Sequence, residues 1–313
     1  MTVSDNPPPR YVDAATITAC LPPEAAVEAV LAGLRGDVDP AADVPRSAVP
    51  LQQGDLLLMP AQSTSSVGVK LATVAPGNPA RGLPRISAAY VLFDAATLRP
   101  THLLDGVALT NLRTPAVSVA AVKPWLDLLD QPLRVVAFGG GPQSIGHLET
   151  VAAVHDIATS AVVVRQPDRV RLPESLSSTR VLSADDASVS SLLGEAHLIV
   201  CATTARTPLF DSTLLGDRTI VVAVGSHEAE AREVDAAFCA RACVIVEDRQ
   251  TALRECGDVI QAIAEDALSP DDLVPLRKVA RADRSPAEES VFFKGSGMSW
   301  EDLVVAEAVL ARL

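Results

Sequence analysis

Between Pro23 and Arg35, apolar side chains recur at Ala26, Val27, Val30, Leu31 and Leu34, one face of a helix that Gly36 stops. The period then changes. Asp55 to Ala61, Val67 to Ala75 and Ile86 to Asp94 are short Leu- and Val-rich segments bounded by Gly, Pro, Asn and Ser. Such segments are strands joined by turns, in a largely antiparallel sheet. Helical spacing returns from Ala108 to Val122, with Pro124 as its expected end.

From Leu133 short strands and helices alternate. Arg134 to Phe138, Ser160 to Arg165, Thr179 to Leu182, His197 to Ala202, Thr219 to Val224 and Ala242 to Glu247 read as strands. Pro142 to His155 and Ala187 to Ala196 read as helices between them. Nearly continuous apolar strands alternating with helices predict an α/β fold with a doubly wound parallel sheet covered on both faces. Ser290 to Leu313 is an apolar strand, a Gly-Ser-Gly turn and a last helix, expected to cross back to the first domain. The expected organisation is a discontinuous α+β substrate-binding domain, 1–120 and 286–313, wrapped around a dinucleotide-binding domain, 121–285.

Composition narrows the function. The 313 residues carry 26 Lys plus Arg against 39 Asp plus Glu, a net charge of −13, and 3% aromatics. Nucleic-acid binding is excluded as an expectation, because it needs clustered cations and stacking platforms. No apolar run approaches the roughly 20 residues that span a bilayer. Met1 to Arg10 is polar and has no apolar core, so it lacks the pattern of a signal peptide. Cys20, Cys201, Cys239, Cys243 and Cys256 are odd in number and form no CxxC pair, which reads as free thiols in a reducing cytoplasm and no metal site.

Two features carry chemistry. In VVAFGGGPQSIGHLE, Gly139, Gly141 and Ser144 follow a strand and open a helix with G-x-G-x-x-S spacing. The first glycine permits the turn, the second lets backbone approach a pyrophosphate, and the small third residue packs helix on strand. Arg165 and Arg169 follow the next strand and suit the 2′-phosphate of NADP, or else face solvent or pair with Asp168; NADP is favoured over NAD. The second feature is a set of isolated cations in apolar segments: Arg46, Lys70 in SVGVKLATV and Arg113 in ALTNLRTPAVSVAAV. Burying such charges unpaired costs several kcal/mol. Either they await an anionic ligand such as an α-carboxylate, or they reach solvent or a distant acid.

The blocks LLLMPAQSTSSVGVKLATVAPGNPARGLP, LLDGVALTNLRTPAVSVAA, GGGPQSIGH and VFFKGSGMSWEDL together resemble the ornithine cyclodeaminase and mu-crystallin family, over nearly the whole chain. The resemblance implies a homodimer with a Rossmann domain inserted in a substrate-binding and dimerisation domain, binding NAD(P)(H) and small imino or amino acids. It implies that Arg46, Lys70 and Arg113 hold the substrate carboxylate. It places Gly139, Gly141, Gln143, Ser144 and Thr114 at the cofactor pyrophosphate, Thr203 beside the dinucleotide, and Ser296 and Gly297 near the nicotinamide. His147 is read as packing the turn.

One departure bears on the reaction. Where the family's cyclodeaminases carry a catalytic aspartate, VVAVGSHEAEARE places His227, as a proton donor or a loop histidine. A neutral imidazole is no permanent counter-ion for a δ-amine. The expected activity is therefore hydride transfer to or from the α-carbon of a small imino or amino acid, with Lys70 also able to shuttle a proton. The alternatives are an ornithine cyclodeaminase, giving L-proline and ammonia, and a non-catalytic NAD(P)H-binding protein.

Overall fold

The computed structural model describes residues 7–284 and 286–313. The first six residues of the polar start, and residue 285 at the expected domain boundary, lie outside the described residues. The chain divides into two units, Met1–Arg113 with Met298–Leu313, and Thr114–Gly297.

The first unit begins with β1 (Arg10–Val12), α1 (Ala14–Cys20) and α2 (Pro23–Arg35). Asp13 caps α1 through the Thr16 amide, and Gly36 follows α2 as its C-cap. Then come β2 (Ser47–Leu51), β3 (Gly54–Gln62), β4 (Ser66–Val74), β5 (Ile86–Asp94) and β6 (Pro100–Asp105). The six strands form one sheet in the order β1-β6-β5-β4-β3-β2, antiparallel except where β1 pairs with β6. Alternation along β4 turns Gly68, Lys70 and Ala72 to the buried face. The register aligns Met59, Lys70, Tyr90 and Leu104 in one buried row across four strands. The helix α3 (Gly106–Leu126) leads out of β6, and the unit boundary falls inside it. It runs two residues beyond Pro124: a proline near a C-terminus deletes one hydrogen bond, and Asp127 N–H still bonds the Lys123 carbonyl.

The second unit holds β7 (Leu133–Phe138), α4 (Pro142–Val154), β8 (Ile157–Val164), β9 (Arg180–Ser183), α5 (Ser188–Glu195), β10 (Leu198–Cys201) and β11 (Ile220–Ala223). It continues with α6 (Ala236–Arg241), β12 (Ala242–Val246), α7 (Arg249–Glu255), α8 (Gly257–Ala264), β13 (Val274–Pro275), α9 (Leu276–Ala280) and β14 (Ser290–Lys294). The strand order is β13-β12-β14-β11-β10-β7-β8-β9, with every pairing parallel. The order reverses at β7, with β8 on one side and β10 on the other, which is the switch point where such sheets bind ligands.

The last segment departs from expectation. Ser290–Lys294 does not leave for the first unit but fills a slot between β11 and β12. All five of its residues are buried, as an apolar run needs both faces covered, and a central position in a parallel sheet supplies that. The chain from Met298 alone returns, as α10 (Ser299–Leu310) against α2, β3 and β4. No single helix among the described residues is long and apolar enough to cross a membrane.

Candidate active site

In the second unit the glycine-rich turn joins β7 to α4. Gly139 has φ +106°, and a Cβ there would stand 2.5 Å from the Ala202 carbonyl oxygen, so no larger residue fits. Ser144 is buried, and its hydroxyl donates to the Phe138 carbonyl at 3.2 Å, closing the turn as the small third residue should. Gly141 is the N-cap of α4 in extended backbone, and a Cβ there would meet nothing within 4 Å. The space over Gly141 is open and no side chain caps the helix, so its first amides face outward with the positive end of the dipole. A pyrophosphate fits that arrangement.

Behind the turn, His147 is fully buried, which pushes its pKa down to about 4. The Gln143 carbonyl, 2.7 Å from Nδ1, can only accept, so the neutral ring carries its proton on Nδ1. Nε2, 2.9 Å from the Ser118 hydroxyl, is then an acceptor. Ser118 also lies 3.0 Å from the carbonyl of half-buried Thr114, so α3 and α4 are stitched together behind the cradle.

At the carboxyl ends of the strands, Thr203 follows β10 and is half-buried. His227 lies in the turn after β11 and is exposed. Ser296 and Gly297 follow β14 and donate three hydrogen bonds, each 2.9 Å, to the carboxylate of Glu247 at the end of β12. Gly297 has φ +80°, a left-handed turn that favours glycine. Arg165 and Arg169 lie beyond β8, which ends at Val164, and both are exposed.

In the first unit Lys70 and Arg113 meet. The Lys70 ammonium donates to Asp302 Oδ2 at 2.6 Å and lies 3.5 Å from the Thr110 hydroxyl. Arg113 Nε lies 3.5 Å from Asp302 Oδ1, and its Nη1 donates to Glu301 Oε2. Asp302 thus bridges the two cations. The second oxygen of Glu301 accepts from Met298 N–H at 2.9 Å, and Asp43 caps Ser299 N–H at 2.8 Å, which fixes the start of α10. Lys70 and Arg113 are 3% and 6% exposed; Glu301 and Asp302 are at 0%. Burial pulls the Lys70 pKa down to about 8, with Arg113 adding to the fall and Asp302 opposing it.

Sequence proximity offered these cations few acids, and the structure supplies them from 188 and 232 residues away. Two cations and two carboxylates balance, so each cation meets a distant acid. Arg46 is half-buried one residue before β2, whose Ser47 pairs with Leu58 of β3. The residues missed are Glu301, Asp302, Glu233, Asp258 and Lys294. Lys294 carried a signal, a cation ending the apolar run VFFK and 0% exposed. For the acids the clue was weaker: α10 is apolar nearly all round, so its first-turn carboxylates must be buried and paired.

A doubly wound sheet with an open glycine turn at its switch point defines a dinucleotide-binding class of protein. A profile of the ornithine cyclodeaminase/mu-crystallin family matches residues 15–313. A Δ1-pyrroline-2-carboxylate reductase of Paracoccus denitrificans is 31% identical over 250 residues, 77% of this chain and 78% of that protein. The iminosuccinate reductase of the same organism, solved with NAD+, superposes with TM-score 0.82 at 25% identity, covering 97% of this chain and 95% of that one. A Thermococcus litoralis Δ1-pyrroline-2-carboxylate reductase, solved with NADH and L-proline, shares the fold with TM-score 0.84 at 22% identity, covering 97% of both chains. The chain belongs to the ornithine cyclodeaminase/mu-crystallin family.

Proposed function

We propose that this chain is an NAD(P)H-dependent reductase of small α-imino acids, Δ1-pyrroline-2-carboxylate or a close analogue, giving the α-amino acid. The observation that carries the reading is the convergence of two buried cations, Lys70 and Arg113, on Asp302. Asp302 and Thr110 engage two of the three Lys70 N–H donors, and the third serves a ligand carboxylate. Arg113, oriented by Glu301 and Asp302, is the second cation of the clamp, and Arg46 is the third. The name of the Paracoccus relative supports the substrate class, and the NAD+ held by its iminosuccinate reductase supports a nicotinamide cofactor.

When bound, NAD(P)H supplies the hydride to the imine carbon while the nitrogen takes a proton. The protein's own work is to hold the carboxylate, exclude water and deliver that proton. Lys70 Nζ, poised near pH 8, and His227 are the groups assigned to the proton. Gly139, Gly141, Gln143 and Ser144 take the pyrophosphate with Thr114 beside them, and Thr203, Ser296 and Gly297 serve the nicotinamide end. His227 at the position of the cyclodeaminase aspartate favours reduction over ornithine cyclisation. A panel of cyclic imines, keto acids plus amines, and L-amino acids including ornithine, run with both cofactors, tests the reading. Turnover of cyclic imines is expected, and activity confined to ornithine would overturn it.

Arg165 and Arg169 are placed to pair a 2′-phosphate, so NADPH should bind roughly tenfold tighter than NADH, the worth of about one charge-assisted hydrogen bond. Calorimetry on the protein and its Arg165→Ala/Arg169→Ala variant measures this; equal affinities in the unmodified protein remove the assignment. The first unit is assigned to substrate binding and dimerisation. Its sheet leaves Tyr11, Val49, Leu51, Ile86 and Leu103 exposed, apolar surface of the kind a second copy covers. Sedimentation should give the mass of two chains, and a monomer at micromolar concentration would contradict the assignment.

A further inference from the structure

Glu233 lies in the loop between β11 and α6 and is 0% exposed. Its Oε1 accepts from the Thr203 amide and the Thr203 hydroxyl, both at 2.7 Å, and its Oε2 accepts from the Gly225 amide at 2.7 Å. One carboxylate therefore ties together the backbones that leave two neighbouring strands, β10 and β11, at their carboxyl ends. The fit is close. A Cβ on Gly225 would fall 2.0 Å from the Thr203 carbonyl oxygen and 2.6 Å from Glu233 Oε1.

Further buried charges hold Glu233 from behind. Asp258 Oδ1 accepts from the amides of Glu233 and Val234 at 2.7 and 2.9 Å. Lys294 lies 3.5 Å from Asp258 Oδ2 and donates to the Ser226 carbonyl at 2.5 Å. The loop carrying His227 is thus anchored at 225, 226, 233 and 234. Burying three ionised groups to join two loops is expensive when apolar packing would join them at less cost. What the charges add is fixed direction for the backbone.

A doubly wound sheet binds the two halves of a dinucleotide on either side of its switch point. The glycine turn serves the half over β7 and β8, and the loops after β10 and β11 belong to the other. We propose that Glu233 is a positioning residue for the nicotinamide half of the dinucleotide, holding Thr203 and the 225–234 loop in the arrangement that half requires. The proposal rests on the dinucleotide reading above but not on which imine is reduced.

The test compares NADH with ADP-ribose, which lacks the nicotinamide end, in Glu233→Gln. A glutamine keeps the volume, leaves Lys294 paired with Asp258, and turns its NH2 against a backbone N–H that cannot rotate away. NADH affinity should fall ~10–100-fold, the size of a lost hydrogen bond to a charge, while ADP-ribose affinity stays within about twofold. Hydrogen exchange at the Thr203 and Gly225 amides should quicken without any ligand. Equal weakening of both ligands would mean a structural role only, and unchanged NADH affinity would likewise overturn the proposal. If Glu233→Gln fails to fold, Glu233→Asp, which keeps the charge but shortens its reach to the Thr203 and Gly225 amides, should show the same split at smaller size. An unmodified protein that binds NADH but reduces no imine would sink the proposed reaction and leave this inference standing.

Discussion

Gly141→Val should abolish dinucleotide binding without unfolding the protein. The backbone at 141 is extended, with φ −92° and ψ 178°, which valine adopts readily, and its Cβ would touch nothing within 4 Å. Stability should therefore change by no more than about 1 kcal/mol. A branched side chain on that spot fills the space that a pyrophosphate must enter to reach the first amides of α4, so affinity for NADH and NADPH should fall at least ~100-fold. Neighbouring glycines do not allow this separation. A Cβ at Gly140 would stand 2.6 Å from Val170 Cγ2, and one at Gly139 would strain the backbone as well. Gly141→Val that binds cofactor normally would place the dinucleotide elsewhere.

Removing the Lys70 ammonium should lower kcat/KM for the imine by ~100-fold, the size of a lost charge-assisted hydrogen bond, with NADH affinity within about twofold. Lys70→Gln suits the measurement, because Arg113 still faces Asp302. Arg113→Ala would strand Glu301 and Asp302 with less compensation and destabilise the unit by about 3–5 kcal/mol. A pH profile sharpens the point. Lys70 faces Arg113, Asp302 and Glu301, and stands in register with Tyr90. With its pKa held at about 8, it is charged below that pH and neutral above it. Carboxylate binding needs the charge, so kcat/KM should fall as pH rises through about 8. In Lys70→Arg, whose guanidinium stays protonated, that limb should vanish. An unchanged limb in Lys70→Arg would assign the titration to another group.

Local period made much of the fold legible. The α2 face, the antiparallel strands and the β-α alternation each depend on spacing within a dozen residues, and the turn at Gly139 to Ser144 declares itself by position between a strand and a helix. Sheet order does not live in local spacing. The run VFFK looked like the start of a return to the first unit, yet its neighbours are strands that end 71 and 48 positions earlier. Lys70 and Arg113 were visible as charges in apolar segments, and their counter-ions were not. Glu301 and Asp302 lie in the first turn of α10, and only its packing on β3 and β4 leaves those carboxylates no water to turn to. Glu233 gave less still, one acid in an acidic loop whose partners are set by two strands ending side by side.

The proposed reaction consumes reduced nicotinamide dinucleotide to saturate the C=N bond of a small imino acid. The direct measurement follows near-ultraviolet nicotinamide absorbance and chromatographic L-proline together, with Δ1-pyrroline-2-carboxylate as substrate. One equivalent of NAD(P)H lost per proline formed is the predicted result. Proline and ammonia appearing from ornithine with no net loss of reduced cofactor, or cofactor bound and never oxidised across the imines, would contradict it.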